Sequence, residues 1–176
     1  MLIKYLREMF PHVESEDPVS YVSEAGDAIN ALLYSLLYWP RLVEVHGAVF
    51  VALSGNDEVE IRERLSAPAG SAIPNWLSLS WPEVVDSYNI FEIGHLFQSV
   101  AAAAEDSDSL HHVLGGILVK SWSARLAEGY PERRFSVRLV EPDESMMELR
   151  IEVAQVSPAL ATPGGWNGQL RKVVQA

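Results

Sequence analysis

Apolar positions recur every three to four residues through much of the chain and switch to strict alternation in two places, a pattern that predicts an α+β protein. Leu2, Ile3, Leu6, Met9 and Phe10 share one side of a short helix opposite Lys4, Arg7 and Glu8, and Pro11 stops it. Asp17 offers a cap with Pro18 at the first helical position. A long helix to Trp39 is expected from there, with Val22, Ala25, Ile29, Leu32, Leu33, Leu36 and Leu37 as its buried stripe and Pro40 as its end. Val43 and Val45 then alternate with Glu44 and His46, Gly47 permits a turn, and Ala48–Leu53 is apolar on both faces. This reads as a hairpin whose second strand lies inside a sheet. A short helix from Asp57 to about Leu65 and an uncharged loop over 66–75 follow.

Ser80–Glu83 and Asn89–Glu92 each carry capping-box spacing, which predicts two helices, the second running through Ile93, Leu96, Phe97 and Val100 into four alanines. The acidic turn Glu105–Ser109 opens a last helix with Leu110, Leu114, Ile117, Leu118 and Leu126 inside, ended by Gly129 and Pro131. Gly115 and Gly116 within it cost roughly 1–2 kcal/mol relative to alanines, so close approach of a neighbouring element is expected. Phe135, Val137 and Leu139 alternate with Ser136 and Arg138, as Leu149, Ile151 and Val153 do with Arg150 and Glu152, and the turn Pro142–Ser145 joins them. The expected architecture is one antiparallel sheet of two hairpins, about 42–53 and 134–155, with five to six helices mainly on one face. Its open face would carry Glu44, His46, Arg138, Glu148, Arg150 and Glu152. Residues 1–156 are expected to form one domain, followed by an extended tail over 157–176 that packs back through Trp166 or contacts another chain.

Charge adds a direction to this picture. The chain has 176 residues and a net charge of −11, and all of the excess lies before residue 125. Residues 1–124 hold 17 Asp and Glu against 6 Lys and Arg, whereas residues 125–176 hold 7 of each. That balance argues against nucleic acid and against an anionic membrane surface, and it favours a basic protein partner. Cysteine is absent, which removes disulfides, thiolate catalysis and Cys-based zinc sites. Neither an export signal nor an apolar run long enough to span a bilayer is read, so a cytoplasmic location is expected.

Candidate chemistry is sparse. No nucleophile elbow, Walker loop, dinucleotide fingerprint or His-Glu-x-x-His is present. Glu92 and His95 have the i, i+3 spacing of carboxylate-bridged metal sites, and Asp108 and His111 repeat it. Helix capping explains both carboxylates, and the Glu105–Asp106–Asp108 cluster as well, so neither a metal site nor a cofactor is assigned. His111 and His112 lie near a helix N-terminus, where the dipole disfavours the imidazolium.

The leading expectation is a non-enzymatic interaction protein. Its partner-binding residues would be Glu14, Glu16, Asp17, Glu24 and Asp27, with Trp76 and Trp81 as aromatic anchors if they are not core. Toxin-neutralising immunity proteins share this general character of small, acidic domains without catalytic motifs, although no motif supports membership of a family. The alternative is a small-molecule-binding protein or enzyme with a pocket between helices and sheet, built from His95, His112 and Trp122. A third reading is a homo-oligomer joined through the C-terminal tail.

Overall fold

Two short helices stand where one long helix is expected after Pro18. The computed structural model describes residues 2–14, 17–53, 57–66, 80–97, 107–144 and 146–164. They fall into two compact units, Met1–Tyr38 and Trp39–Ala176.

The first unit holds α1 (Leu2–Met9), α2 (Pro18–Ala25) and α3 (Ala28–Tyr38). Asp17 caps α2 by accepting the Val19 amide at 3.0 Å, with Pro18 in the first turn as expected. The helix then breaks at Gly26, whose backbone is extended and whose amide donates to the Val22 carbonyl. A Cβ there would lie 2.3 Å from that carbonyl oxygen, so the break requires glycine. Asp27 restarts the chain as α3, its carboxylate accepting the amides of Ile29 at 2.7 Å and Asn30 at 3.2 Å. The stripe expected to be buried is not. Ile29, Leu32, Leu33 and Leu36 are 59–72% exposed, and α3 has no buried residue.

The second unit begins with the expected hairpin, β1 (Arg41–Val45) paired antiparallel with β2 (Ala48–Ala52). His46 and Gly47 both take positive φ, 49° and 78°, the two-residue turn that suits the twist of a hairpin. Then come α4 (Asp57–Ser66), α5 (Trp81–Tyr88), β3 (Ile90–Glu92), the single turn α6 (Ile93–Leu96), α7 (Ser107–Gly129), β4 (Arg134–Val140) and β5 (Arg150–Ser157). The α+β class is as the pattern implies, but the two hairpins lie in separate sheets, β1–β2 and β3–β5–β4.

Asn89 links the two sheets, and β2 is apolar because every one of its residues is buried. The fully buried side chain of Asn89 accepts the Val51 amide at 3.1 Å and donates to the Val49 carbonyl at 3.0 Å, while the Asn89 backbone carbonyl accepts the Val153 amide of β5. Backbone groups of β2 that another strand would satisfy are thus satisfied by one side chain. Asn89 therefore does not start a following helix as an N-cap; it closes α5 as its C-cap, its amide donating to the Asp86 carbonyl. The residues after it form β3, which pairs with β5 as Ile90↔Glu152, Phe91↔Ile151 and Glu92↔Arg150. The Ser80–Glu83 box is a real one, with both reciprocal bonds formed.

Trp81, Val84 and Val85 of α5 and Ile61 and Leu65 of α4 pack with Val43, Val45, Phe50 and Ala52 of the first hairpin, and Leu160 of the tail packs against this cluster. Helix α7 lies on β4 and β5 and buries Leu118, Trp122 and Leu126. Gly115 is where it comes close, since a Cβ there would meet Leu139 at 2.6 Å. Gly116 meets nothing within 4 Å, so the expectation of close approach holds for one glycine of the pair. Arg150, expected on a wet face, is 5% exposed and ties down the β4–β5 turn. It donates to Asp143 at 2.7 Å, Glu152 at 2.9 Å and the Glu141 carbonyl at 3.3 Å. Arg138 does pair across strands with Glu152, at 3.0 Å.

Candidate functional site

Two regions combine unusual composition with accessibility. The first is the apolar side of α3. Ile29, Leu32, Leu33 and Leu36 follow i, i+3, i+4, i+7 spacing, so they form one contiguous strip on the helix surface. Apolar strips of this kind mark interaction sites when they stay open to water. On α2, Val19 and Val22 are exposed as well, at 64% and 69%. No Lys or Arg occurs between Arg7 and Arg41, whereas Glu8, Glu14, Glu16, Asp17, Glu24 and Asp27 all fall there. Glu14, Asp17, Glu24 and Asp27 are exposed, so four of the five acids expected to meet a partner lie at the surface of this unit. Asp17 and Asp27 also serve as helix caps, which accounts for part of the acidic excess. Glu16 and Trp76 lie outside the described residues.

Trp81 is no partner anchor. It is wholly buried, with its ring edge-on to Phe50 at 6.4 Å and to His46 at 5.8 Å. Large aromatic area next to a hairpin gains more from the core than a rim position would provide.

The second region is a cleft of about 470 Å³ in the Trp39–Ala176 unit, lined by Gly94, Asp108, His111, His112, Glu141, Pro142, Met147, Glu148 and Leu149. Three chain segments meet there: the α6 turn, the first turns of α7 and the β4–β5 connection. His112 sits between an acceptor on its own helix and one on the connection. Its Nδ1 is 2.7 Å from the Asp108 carbonyl, and its Nε2 lies 3.0 and 3.1 Å from the two Glu141 oxygens. The Asp108 carbonyl and then the Glu141 carboxylate raise its pKa above the ordinary histidine value. The expected effect of the helix dipole is outweighed by these two direct acceptors. His111 has its Nε2 buried without a hydrogen-bond partner among the described residues.

The three residues proposed to share a pocket are not brought together. His112 lines the cleft, and His95 stands outside it, 67% exposed. Trp122 is fully buried, its ring edge-on to Phe91 at 5.0 Å. His95 instead pairs with Glu92, Nδ1 to Oε2 at 2.6 Å. A residue with no sequence signal, Glu148, joins them, and the ligand-type atoms of Glu92, His95 and Glu148 all lie within 4.8 Å of one another. The strand pairing Glu92↔Arg150 and the bond from the Ile93 amide to the Leu149 carbonyl, 2.9 Å, bring this third residue in. Glu148 lies more than fifty positions along the chain from its two neighbours, so local spacing carries no trace of it.

No family model, no curated protein and no solved structure matches the chain.

Proposed function

We propose that this protein is a non-enzymatic binding protein that takes a basic protein partner on the apolar strip of α3 and the acidic surroundings supplied by α2 and its flanks. The single observation that carries this reading is the exposure of Ile29, Leu32, Leu33 and Leu36 at helical spacing. Burying four such side chains is worth roughly 1.5–3 kcal/mol each, enough to drive association once a complementary surface is offered. The charge decides the kind of surface. A second copy docking through the same strip would bring a second acidic surface to the contact, with no Lys or Arg between Arg7 and Arg41 to pair with it, which like-charge repulsion opposes. An anionic lipid surface is disfavoured for the same reason, and no described helix is long and apolar enough to cross a membrane. An amphipathic basic segment of another protein satisfies both features.

The test is affinity capture on the immobilised full-length chain at low and at high ionic strength, alongside the Leu32→Asp/Leu36→Asp variant. The expected result is a basic protein that is retained at low salt, released at high salt and not retained by the variant. Capture that ignores both salt and the variant would overturn the reading, as would a stable homodimer of the wild type that the variant dissolves. The cleft supports a second reading, as a small-molecule or ion site, because His112, His111 and three carboxylates converge on it.

A further inference from the structure

Glu92 and His95 at the turn between β3 and α6, and Glu148 from the β4–β5 connection, bring two carboxylates and an imidazole within 4.8 Å of one another, with no ion pair from a lysine or arginine to any of the three among the described residues. Glu92 opens α6 without capping it: it sits at the N-cap position and makes no side-chain cap bond. The explanation that would otherwise account for its position is therefore absent. Its carboxylate is turned to His95 and lies near that of Glu148. Glu148 has no hydrogen bond or ion pair among the described residues, and its Oε2 sits 3.0 Å from where a Cβ on residue 94 would be. Glycine at 94 leaves room for that carboxylate to approach the turn.

Two carboxylates brought this close repel each other, and a cation between them relieves that repulsion. A divalent ion would neutralise both acids and accept the imidazole nitrogen as a third donor. We infer that Glu92, His95 and Glu148 form a binding site for a divalent transition-metal ion, with Zn2+ as the proposed occupant. Mixed imidazole and carboxylate donors suit zinc, and the general affinity order places Zn2+ above Mn2+ and Fe2+. Magnesium and calcium prefer oxygen donors alone and bind this set poorly. Three protein donors leave a coordination position to be filled by water or another ligand, the composition of an open rather than a closed structural site. Glu148 also lines the cleft, and Asp108 and Glu141 on its walls add negative potential that concentrates cations there.

The scaffold under the three donors is firm. Ile93 is fully buried between Glu92 and Gly94, its amide is bonded to Leu149, and Leu149 and Arg150 are buried next to Glu148. The donors themselves are half-buried or exposed, so they can be changed without opening the core.

The experiment is calorimetric titration of the untagged full-length chain with ZnCl2 and, separately, with MgCl2. Its comparisons are His95→Ala, Glu148→Gln and the control His12→Ala, whose imidazole is exposed in the other unit. One equivalent of Zn2+ is expected to bind the wild type and to raise its melting temperature, with Mg2+ at least about tenfold weaker. His95→Ala and Glu148→Gln should each weaken Zn2+ binding by at least about tenfold, keep the circular dichroism of the metal-free protein and lose the thermal shift. His12→Ala should bind as the wild type does. Absence of stoichiometric Zn2+ binding would overturn the inference, and so would binding that survives both His95→Ala and Glu148→Gln.

Discussion

Asn89 and Glu92 show how one residue spacing can carry two meanings. Ser80–Glu83 and Asn89–Glu92 look alike in sequence, and only the first forms a reciprocal cap. The Asn89 side chain has a stronger use, since it meets a buried amide and a buried carbonyl of β2 that would otherwise be orphaned. Glu92 is thereby released to meet His95. The strand partners that decide this lie far away in sequence, so spacing alone could not decide between the two. His112 is a similar case: its place near a helix start was legible, whereas Glu141, 29 residues on, was not. Its raised pKa has a stability consequence. A histidine with a folded pKa above its unfolded value adds stability that is fully present below about pH 6.5 and is lost as pH rises through the folded value. His112→Ala should therefore cost more at pH 5.5 than at pH 8.5. The difference should be below about 1 kcal/mol because the contact is half-exposed, measured by urea unfolding at both pH values.

Elements were more legible than their partners. Both hairpins, the Asp17 and Ser80 helix starts and the end of α7 at Gly129 follow from periodicity and capping chemistry. Three features did not. The break at Gly26–Asp27 carries a stop residue followed by a start residue, but the apolar period runs across it and suggests one helix. Strand β3 has only three residues, too few for any period to register. The division into two sheets depends on Asn89, whose side chain takes the place of a neighbouring strand. Replacing it tests that role. Asn89→Ala should lower unfolding free energy by about 2–4 kcal/mol, since two buried backbone groups of β2 lose their partner. Asn89→Asp retains the acceptor for the Val51 amide and loses the donor to the Val49 carbonyl, and it should fall at least as low because it adds a buried charge. A loss below about 0.5 kcal/mol for Asn89→Ala in urea unfolding would remove Asn89 from this account.

At the scale of the whole chain, the charge asymmetry and the exposed strip reinforce each other. Periodicity identified which side of α3 is apolar but not what covers it, and a core-facing stripe and a docking stripe have the same pattern. The acidic excess likewise divides between caps and surface: Asp17, Asp27 and Glu83 serve helix starts, while Glu14 and Glu24 are exposed in the unit that carries the open apolar strip. The most direct measurement is fluorescence anisotropy of a labelled synthetic helix of leucines and lysines, titrated with the full-length chain at low and high salt. The wild type should bind, with affinity falling as salt rises. The Leu32→Asp/Leu36→Asp variant adds two negative charges, so a purely electrostatic association would tighten with it. Docking on α3 predicts the reverse, a loss of at least about tenfold in affinity from the missing apolar contacts. Equal or tighter binding by the variant, or no binding by the wild type, would contradict the account.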